Sequence, residues 1–195
     1  METTQGTSQE VSNKIITIPN ILSFFRLCLI PLLAWRYCVK KDYTGAAIIL
    51  LVSGFTDILD GFIARRFHMV SNIGKALDPV ADKMTQIAML ICLLTNFPLM
   101  WIPLILLVAK EIFAAVTGML VVKKTGKVYG AEWHGKLNTV MIYGMIVLHL
   151  VWPDIPTGIS TGLIVFSTLV MVYSSLLYCR RNYRILKEKP SFFEN

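Results

Sequence analysis

The stretch "DILDGFIARRFHMVSNIGKALDPVADK", residues 57–83, places four aspartates in sequence that is otherwise typical of a membrane-embedded protein: Asp57, Asp60, Asp78 and Asp82. An ionised carboxylate is costly to place in the hydrocarbon core of a bilayer, so acidic residues in membrane helices usually mark a functional site. The meaning of these four residues therefore depends on where the rest of the chain places them.

The composition is that of an integral membrane protein of one domain. The 195 residues are 55% hydrophobic and only 16% charged, and the mean hydropathy is +0.61. The net charge is +7, but the basic residues flank apolar runs, as they do on the cytoplasmic side of membrane proteins. An anionic membrane surface is therefore the expected partner of this charge, and nucleic acid is not.

Six apolar runs are long enough to cross a bilayer as helices of about 20 residues each. They lie at 19–38, 44–65, 74–97, 101–122, 137–153 and 157–179. The fold class that we predict is an all-α integral membrane protein with six transmembrane helices.

Lys and Arg residues predict the orientation of these helices. One face would carry Lys14, Arg65, Arg66, Lys75, Lys123, Lys124, Lys127, Lys136, Arg180, Arg181, Arg184, Lys187 and Lys189, and the other face only Arg36, Lys40 and Lys41. Both termini are therefore expected in the cytoplasm. We predict a flexible cytoplasmic tail over 1–16, a six-helix domain over 17–180 and a basic cytoplasmic tail over 181–195.

The four aspartates fall at matching depths. Asp57 and Asp60 are i,i+3 neighbours and Asp78 and Asp82 are i,i+4 neighbours, so each pair shares one helix face. With a rise of about 1.5 Å per residue, Asp60 and Asp78 lie about 9 Å inside the cytoplasmic helix ends, and Asp57 and Asp82 about 13 to 15 Å inside. The spacing thus predicts two facing pairs of carboxylates.

Four carboxylates this close need compensating cations, because burial and like charges both disfavour ionisation. Two Mg²⁺ or Mn²⁺ ions would balance the charge with the oxygen ligands that these metals prefer. Such a site suits phosphoryl-type transfer, and Arg65, Arg66 and Lys75 are placed to hold a diphosphate. A structural alternative pairs individual aspartates with Lys83 or Lys110.

The acidic spacing resembles the signature of the CDP-alcohol phosphatidyltransferase family. It runs Asp57, two residues, Asp60-Gly61, two residues, Ala64-Arg65, eight residues, Gly74, three residues, Asp78, three residues, Asp82. "TIPNILSFFRL" at 17–27, "ALDPVADK" at 76–83 and "GKLNT" at 135–139 are similar to the branch of this family that makes phosphatidylglycerophosphate and cardiolipin.

The resemblance implies a membrane enzyme, usually a homodimer, that transfers the phosphatidyl group of CDP-diacylglycerol to an alcohol and releases CMP. It also implies an intramembrane site open to the cytoplasm, which we expect in a bacterial cytoplasmic membrane. The four aspartates would bind the metals, and Asp82 would also deprotonate the acceptor. The nucleotide would be bound by Asp60, Gly61, Ala64, Arg65 and Gly74.

The signature leaves the acceptor alcohol open. Glycerol 3-phosphate is expected first, with its phosphate held by Lys75, Lys110, Lys136 or Arg26. Related enzymes usually carry Arg-Glu where this chain has Lys110-Glu111, and lysine lacks the bidentate geometry of arginine. Phosphatidylglycerol, which would give cardiolipin, and an inositol phosphate are the alternatives. A cation channel or transporter is disfavoured, because the acidic residues cluster towards one leaflet.

Overall fold

The structure is a computed structural model that describes residues 18–66, 72–125 and 133–187. This part of the chain is helical and contains no β-strand, which confirms the all-α prediction. Its six α-helices are α1 (Ile18–Ala34), α2 (Tyr43–Arg66), α3 (Asn72–Leu93), α4 (Trp101–Thr125), α5 (Trp133–Val151) and α6 (Thr157–Lys187). A π-helical turn, Trp35–Val39, extends α1, and a 3₁₀ turn, Pro98–Met100, precedes α4.

Within the described residues, three segments are long and apolar enough to cross a membrane: Asn20–Val39, Pro98–Lys124 and Thr157–Ile185. Together with the many exposed apolar side chains along the helices, they define an integral membrane protein. Tyr43–Asp57 and Gly135–Val151 are shorter apolar helices. The described residues therefore support three spans, and the count of six stays a prediction.

The chain divides into two compact units, Met1–Ala88 and Met89–Asn195, with the boundary inside α3. In the first unit, α1 and α2 pack as a helical hairpin with Leu33, Tyr37 and Leu50 among its buried residues. The turn of the hairpin is built by Lys41, which has a φ of 54°, and by Asp42, whose carboxylate accepts a hydrogen bond from the Gly45 amide at 2.8 Å. Asp42 is therefore the N-cap of α2.

In the second unit, α6 packs against both α4 and α5. A buried histidine ties α5 to the start of α6. His149 Nδ1 lies 2.8 Å from the Met145 carbonyl oxygen, and His149 Nε2 lies 2.9 Å from Ser160 Oγ. Because a carbonyl only accepts, Nδ1 carries the proton and Ser160 donates to Nε2. The ring of Phe97 meets the imidazole edge to face at 4.7 Å, so this histidine has a structural role.

Candidate active site

A buried arginine of α1 joins the acidic residues of α2 and α3. Arg26 Nη1 pairs with Asp57 Oδ1, and Arg26 Nη2 lies 3.3 Å from Asp78 Oδ1. The arginine side chain is 3% exposed, against 49% for Asp57 and 38% for Asp78. The planar guanidinium is suited to this bridging role, because its donors diverge in a fixed fork.

Sequence spacing explains why Arg26 meets Asp57. The turn of the α1–α2 hairpin centres on Lys41, with Arg26 fifteen residues before it and Asp57 sixteen residues after it. At about 1.5 Å per residue, the two residues return to the same level, roughly 23 Å from the turn. The two helices of the hairpin thus place the cation and the acid side by side.

Ser23 was not identified from the sequence. Its hydroxyl donates a hydrogen bond to Asp78 Oδ1, the same oxygen that Arg26 approaches. Ser23 and Arg26 are i,i+3 neighbours and therefore share one face of α1. This spacing was the available signal, since both residues stand in the "TIPNILSFFRL" segment.

Asp82 lies one turn further along α3, in a different setting. Gln86 Nε2 donates to Asp82 Oδ2 at 3.3 Å, and Lys83 Nζ lies 3.6 Å from the same oxygen. The pairing with Lys83 agrees with the structural alternative for this one residue. Asp82 also lies within electrostatic range of Asp57, as does Asp78. The structure thus gathers three of the four signature aspartates on neighbouring helices of the first unit.

Six predicted site residues have side chains outside the described part of the structure. Asp60, Gly61, Ala64 and Arg65 belong to the last turns of α2, and Gly74 and Lys75 to the first turn of α3. Their roles in metal, nucleotide and acceptor binding stay predictions, although the helices that carry them are in place.

The donor chemistry of the acidic residues fits a hard divalent cation, because carboxylate oxygens are the ligands that Mg²⁺ and Mn²⁺ prefer. Among the described side chains, no group of three His, Cys, Asp or Glu residues converges closely enough to hold a metal. In the arrangement observed, Asp57 and Asp78 are instead turned towards the guanidinium of Arg26.

Two of the residues predicted to bind the acceptor phosphate, Lys110 and Lys136, lie in the second unit. Lys110 is 14% exposed and its Nζ lies 3.4 Å from Glu111 Oε1. It lines an apolar cavity of about 260 Å³ between α4 and α6 together with Phe113 and Tyr178. Lys136, near the start of α5, is exposed. A role for either residue in acceptor binding stays a prediction. Lys110 forms an ion pair with its neighbour Glu111.

Comparison with known proteins identifies the family. The sequence model of the CDP-alcohol phosphatidyltransferases matches residues 16–177. This chain belongs to the CDP-alcohol phosphatidyltransferase family.

Three curated relatives are similar to this chain over different lengths. CDP-diacylglycerol–glycerol-3-phosphate 3-phosphatidyltransferase 2 of Arabidopsis thaliana is 30% identical over 92% of this chain and 85% of its own. The Bacillus subtilis CDP-diacylglycerol–glycerol-3-phosphate 3-phosphatidyltransferase is 32% identical over 69% of this chain and 78% of its own. The cardiolipin synthase (CMP-forming) of Streptomyces coelicolor is 34% identical over 56% and 54%.

Proposed function

We propose that this protein transfers the phosphatidyl group of CDP-diacylglycerol to glycerol 3-phosphate, forming phosphatidylglycerophosphate and CMP. The observation that carries this proposal is the similarity, over 92% of the chain, to a plant enzyme named for that reaction. The acceptor oxygen forms a bond to the phosphatidyl phosphorus, and the bond from that phosphorus to the bridging oxygen breaks. The bridging oxygen leaves with CMP.

The acidic residues would bind the divalent metals, Mg²⁺ or Mn²⁺, two per site. Asp57, Asp60, Asp78 and Asp82 are the proposed ligands, and the ions would stabilise the negative charge of the phosphates. Asp82 would accept the proton of the attacking hydroxyl. The contact from the buried Gln86 amide supports this role, because it fixes the orientation of the Asp82 carboxylate.

The nucleotide-binding residues are proposed from the family resemblance, and the acceptor-phosphate candidates from their positive charge. Asp60, Gly61, Ala64, Arg65 and Gly74 would surround the nucleotide, and Lys75, Lys110, Lys136 and Arg26 are the acceptor-phosphate candidates. The membrane arrangement that we propose has all six helices crossing a bacterial cytoplasmic membrane, both termini and the site on the cytoplasmic side, and a homodimeric assembly. The basic last turns of α4 and α6 support this orientation.

A second candidate function is cardiolipin synthesis, with phosphatidylglycerol as the acceptor. The similarity to the Streptomyces coelicolor enzyme supports it. The chemistry at phosphorus is the same in both reactions, so the two functions differ only in the groups that recognise the acceptor. Phosphatidylglycerol offers a glycerol group without a terminal phosphate monoester, and it therefore needs fewer cations beside the site.

An acceptor panel tests the assignment. Purified protein in detergent micelles containing CDP-diacylglycerol and Mn²⁺ or Mg²⁺ would receive glycerol 3-phosphate, phosphatidylglycerol, an inositol phosphate or no acceptor. CMP release and the lipid product would both be measured, and we expect CMP and phosphatidylglycerophosphate with glycerol 3-phosphate. CMP release with phosphatidylglycerol and not with glycerol 3-phosphate would establish the cardiolipin reaction instead.

A further inference from the structure

The feature that carries a further inference is the contact between Arg26 and two acidic residues on different helices. The guanidinium lies on α1, while Asp57 belongs to α2 and Asp78 to α3. Ser23, one turn before Arg26, adds a hydrogen bond to Asp78. One face of α1 therefore holds carboxylates of two other helices in fixed positions.

The guanidinium is buried, whereas its two carboxylate partners are partly exposed. Arg26 is 3% exposed, whereas the two carboxylates keep 49% and 38% of their exposure. A cation removed from water needs charged partners, because an isolated buried charge is strongly destabilising. The aspartates supply this compensation from one side and remain open to the site on the other.

The charges of the described groups lead to the same conclusion. Asp57, Asp78 and Asp82 would bring three negative charges to a small region, and Arg26 and Lys83 bring two positive charges to the same carboxylates. Like charges placed together oppose one another's ionisation unless a cation compensates them. Arg26 and Lys83 thus offset much of the negative charge of these three aspartates.

We propose that Arg26 is a built-in counter-charge and positioning residue of the acidic site. Its guanidinium joins α1 to α2 and to α3 by neutralising Asp57 and Asp78. When a divalent cation binds, it meets carboxylates whose charge is partly offset by Arg26, so the arginine weakens the affinity for the metal while it keeps the ligands in place. The metal part of this inference rests on the proposed function, and the stability part does not.

Thermal unfolding in detergent tests the stability part, with the protein purified in a chelator. We expect Arg26→Gln to lower the midpoint by about 5 to 10 °C, because it removes the charge that two carboxylates share. Arg26→Lys keeps the charge but cannot form the fork, and its midpoint should fall between the two. Ser23→Ala is the matched control, since it leaves the charge intact and should shift the midpoint by less than Arg26→Gln.

Direct binding of Mn²⁺, followed by electron paramagnetic resonance, tests the metal part. We expect Arg26→Gln to bind Mn²⁺ about tenfold more tightly than the wild type, because a nearby positive charge is gone. Arg26→Lys should bind with nearly wild-type affinity. Saturating Mn²⁺ should therefore recover most of the midpoint that Arg26→Gln loses in the chelator.

The outcomes separate this proposal from the function. An Arg26→Gln midpoint equal to that of the wild type in the chelator would overturn the proposal. So would a loss of the same size with and without Mn²⁺, since that would make Arg26 a packing residue only. If the wild type binds no Mn²⁺, the proposed metal site fails and the counter-charge role is judged on the chelator midpoints alone.

Discussion

The two units of this protein bury polar groups in different ways. In the first unit, a buried charge is matched by charges from neighbouring helices, as Arg26 is by Asp57 and Asp78. In the second unit, two buried polar side chains have neutral partners: His149 pairs with Ser160, and Asn182 with Thr117. Neutral pairs serve to fix helix packing, whereas exposed carboxylates around a buried cation leave charge available to a ligand.

The largest effect should come from removing one of those charges. We expect Asp78→Asn to reduce CMP release by more than the 10 to 100-fold typical of losing a residue that only supports a metal ligand. The amide still accepts hydrogen bonds from Ser23 and Arg26, so the protein should remain folded. CMP release from CDP-diacylglycerol and a detergent unfolding curve would be measured on the same sample.

Asp42→Asn is the matched control for this change, because Asp42 lies in the turn of the same unit and pairs with the exposed Arg36. It should keep its activity. Retained turnover in Asp78→Asn would contradict the role of the acidic residues, and the comparison between the units would then concern packing alone.

An intermediate effect is expected from two buried asparagines of the second unit. Asn138 is fully buried, and neither Nδ2 nor Oδ1 has a hydrogen-bond partner in the part of the chain that the structure describes. Asn182, also buried, donates to Thr117 Oγ1 at 2.8 Å. Leucine has the same number of side-chain heavy atoms as asparagine but no polar group to satisfy.

Substitution by leucine should therefore act in opposite directions at these two positions. Asn138→Leu should raise the free energy of unfolding by roughly 1 to 3 kcal/mol, because the unpaired amide no longer has to be desolvated. Asn182→Leu should lower it by about 1 kcal/mol, since the hydrogen bond from Asn182 to Thr117 is lost. Denaturation midpoints of the two variants decide the matter. A loss of stability in Asn138→Leu would show that this amide is satisfied after all.

The smallest effect concerns an exposed ion pair of the first unit. The Gly45 amide, followed by the Arg36 guanidinium, holds the pKa of Asp42 below its usual value of 3.8. A carboxyl group whose pKa is lowered by folding stabilises the protein above its unfolded pKa, and this contribution is lost as the pH falls through the folded pKa.

Wild type should consequently be slightly more stable than Asp42→Asn near neutral pH, and the difference should shrink below pH 3.8. Midpoints of thermal unfolding across this pH range measure it. The effect should be small, because Asp42 and Arg36 are both partly exposed and water and salt screen surface pairs. A large, pH-independent difference would contradict this prediction, because asparagine can also cap the helix and the two variants then differ by more than the charge.

The sequence predicted the helices closely because their signals are local. The apolar runs and the charged breaks between them set the bounds of the helices within four residues, except that α6 continues eight residues beyond its predicted end. The i,i+3 and i,i+4 spacings put each pair of aspartates on one helix face. The expected cytoplasmic tail over 1–16 lies outside the described residues. The domain limits of 17–180 and 181–195 stay predictions, although α6 continues to Lys187.

The sequence identified only one of the partners of the acidic residues. Lys83 was considered and is one of them, Lys110 pairs with Glu111, and Arg26 was assigned to an acceptor phosphate. The observed contacts of Arg26 are non-local, because Asp57 and Asp78 lie 31 and 52 positions further along the chain. The depth arithmetic that matched Asp60 to Asp78 and Asp57 to Asp82 would also have matched Arg26 to Asp57, had it been applied to α1.

The sequence by itself therefore determined the class of protein, the helices and the two pairs of aspartates that each share a helix face. Hydropathy and helical period produce these features over a few residues. Only the tertiary structure decided that Arg26 pairs with Asp57 and Asp78, that Ser23 donates a hydrogen bond to Asp78, and that His149 has a packing role. Each of these depends on which helix faces come together, and packing between distant segments is not encoded in any single stretch of the chain.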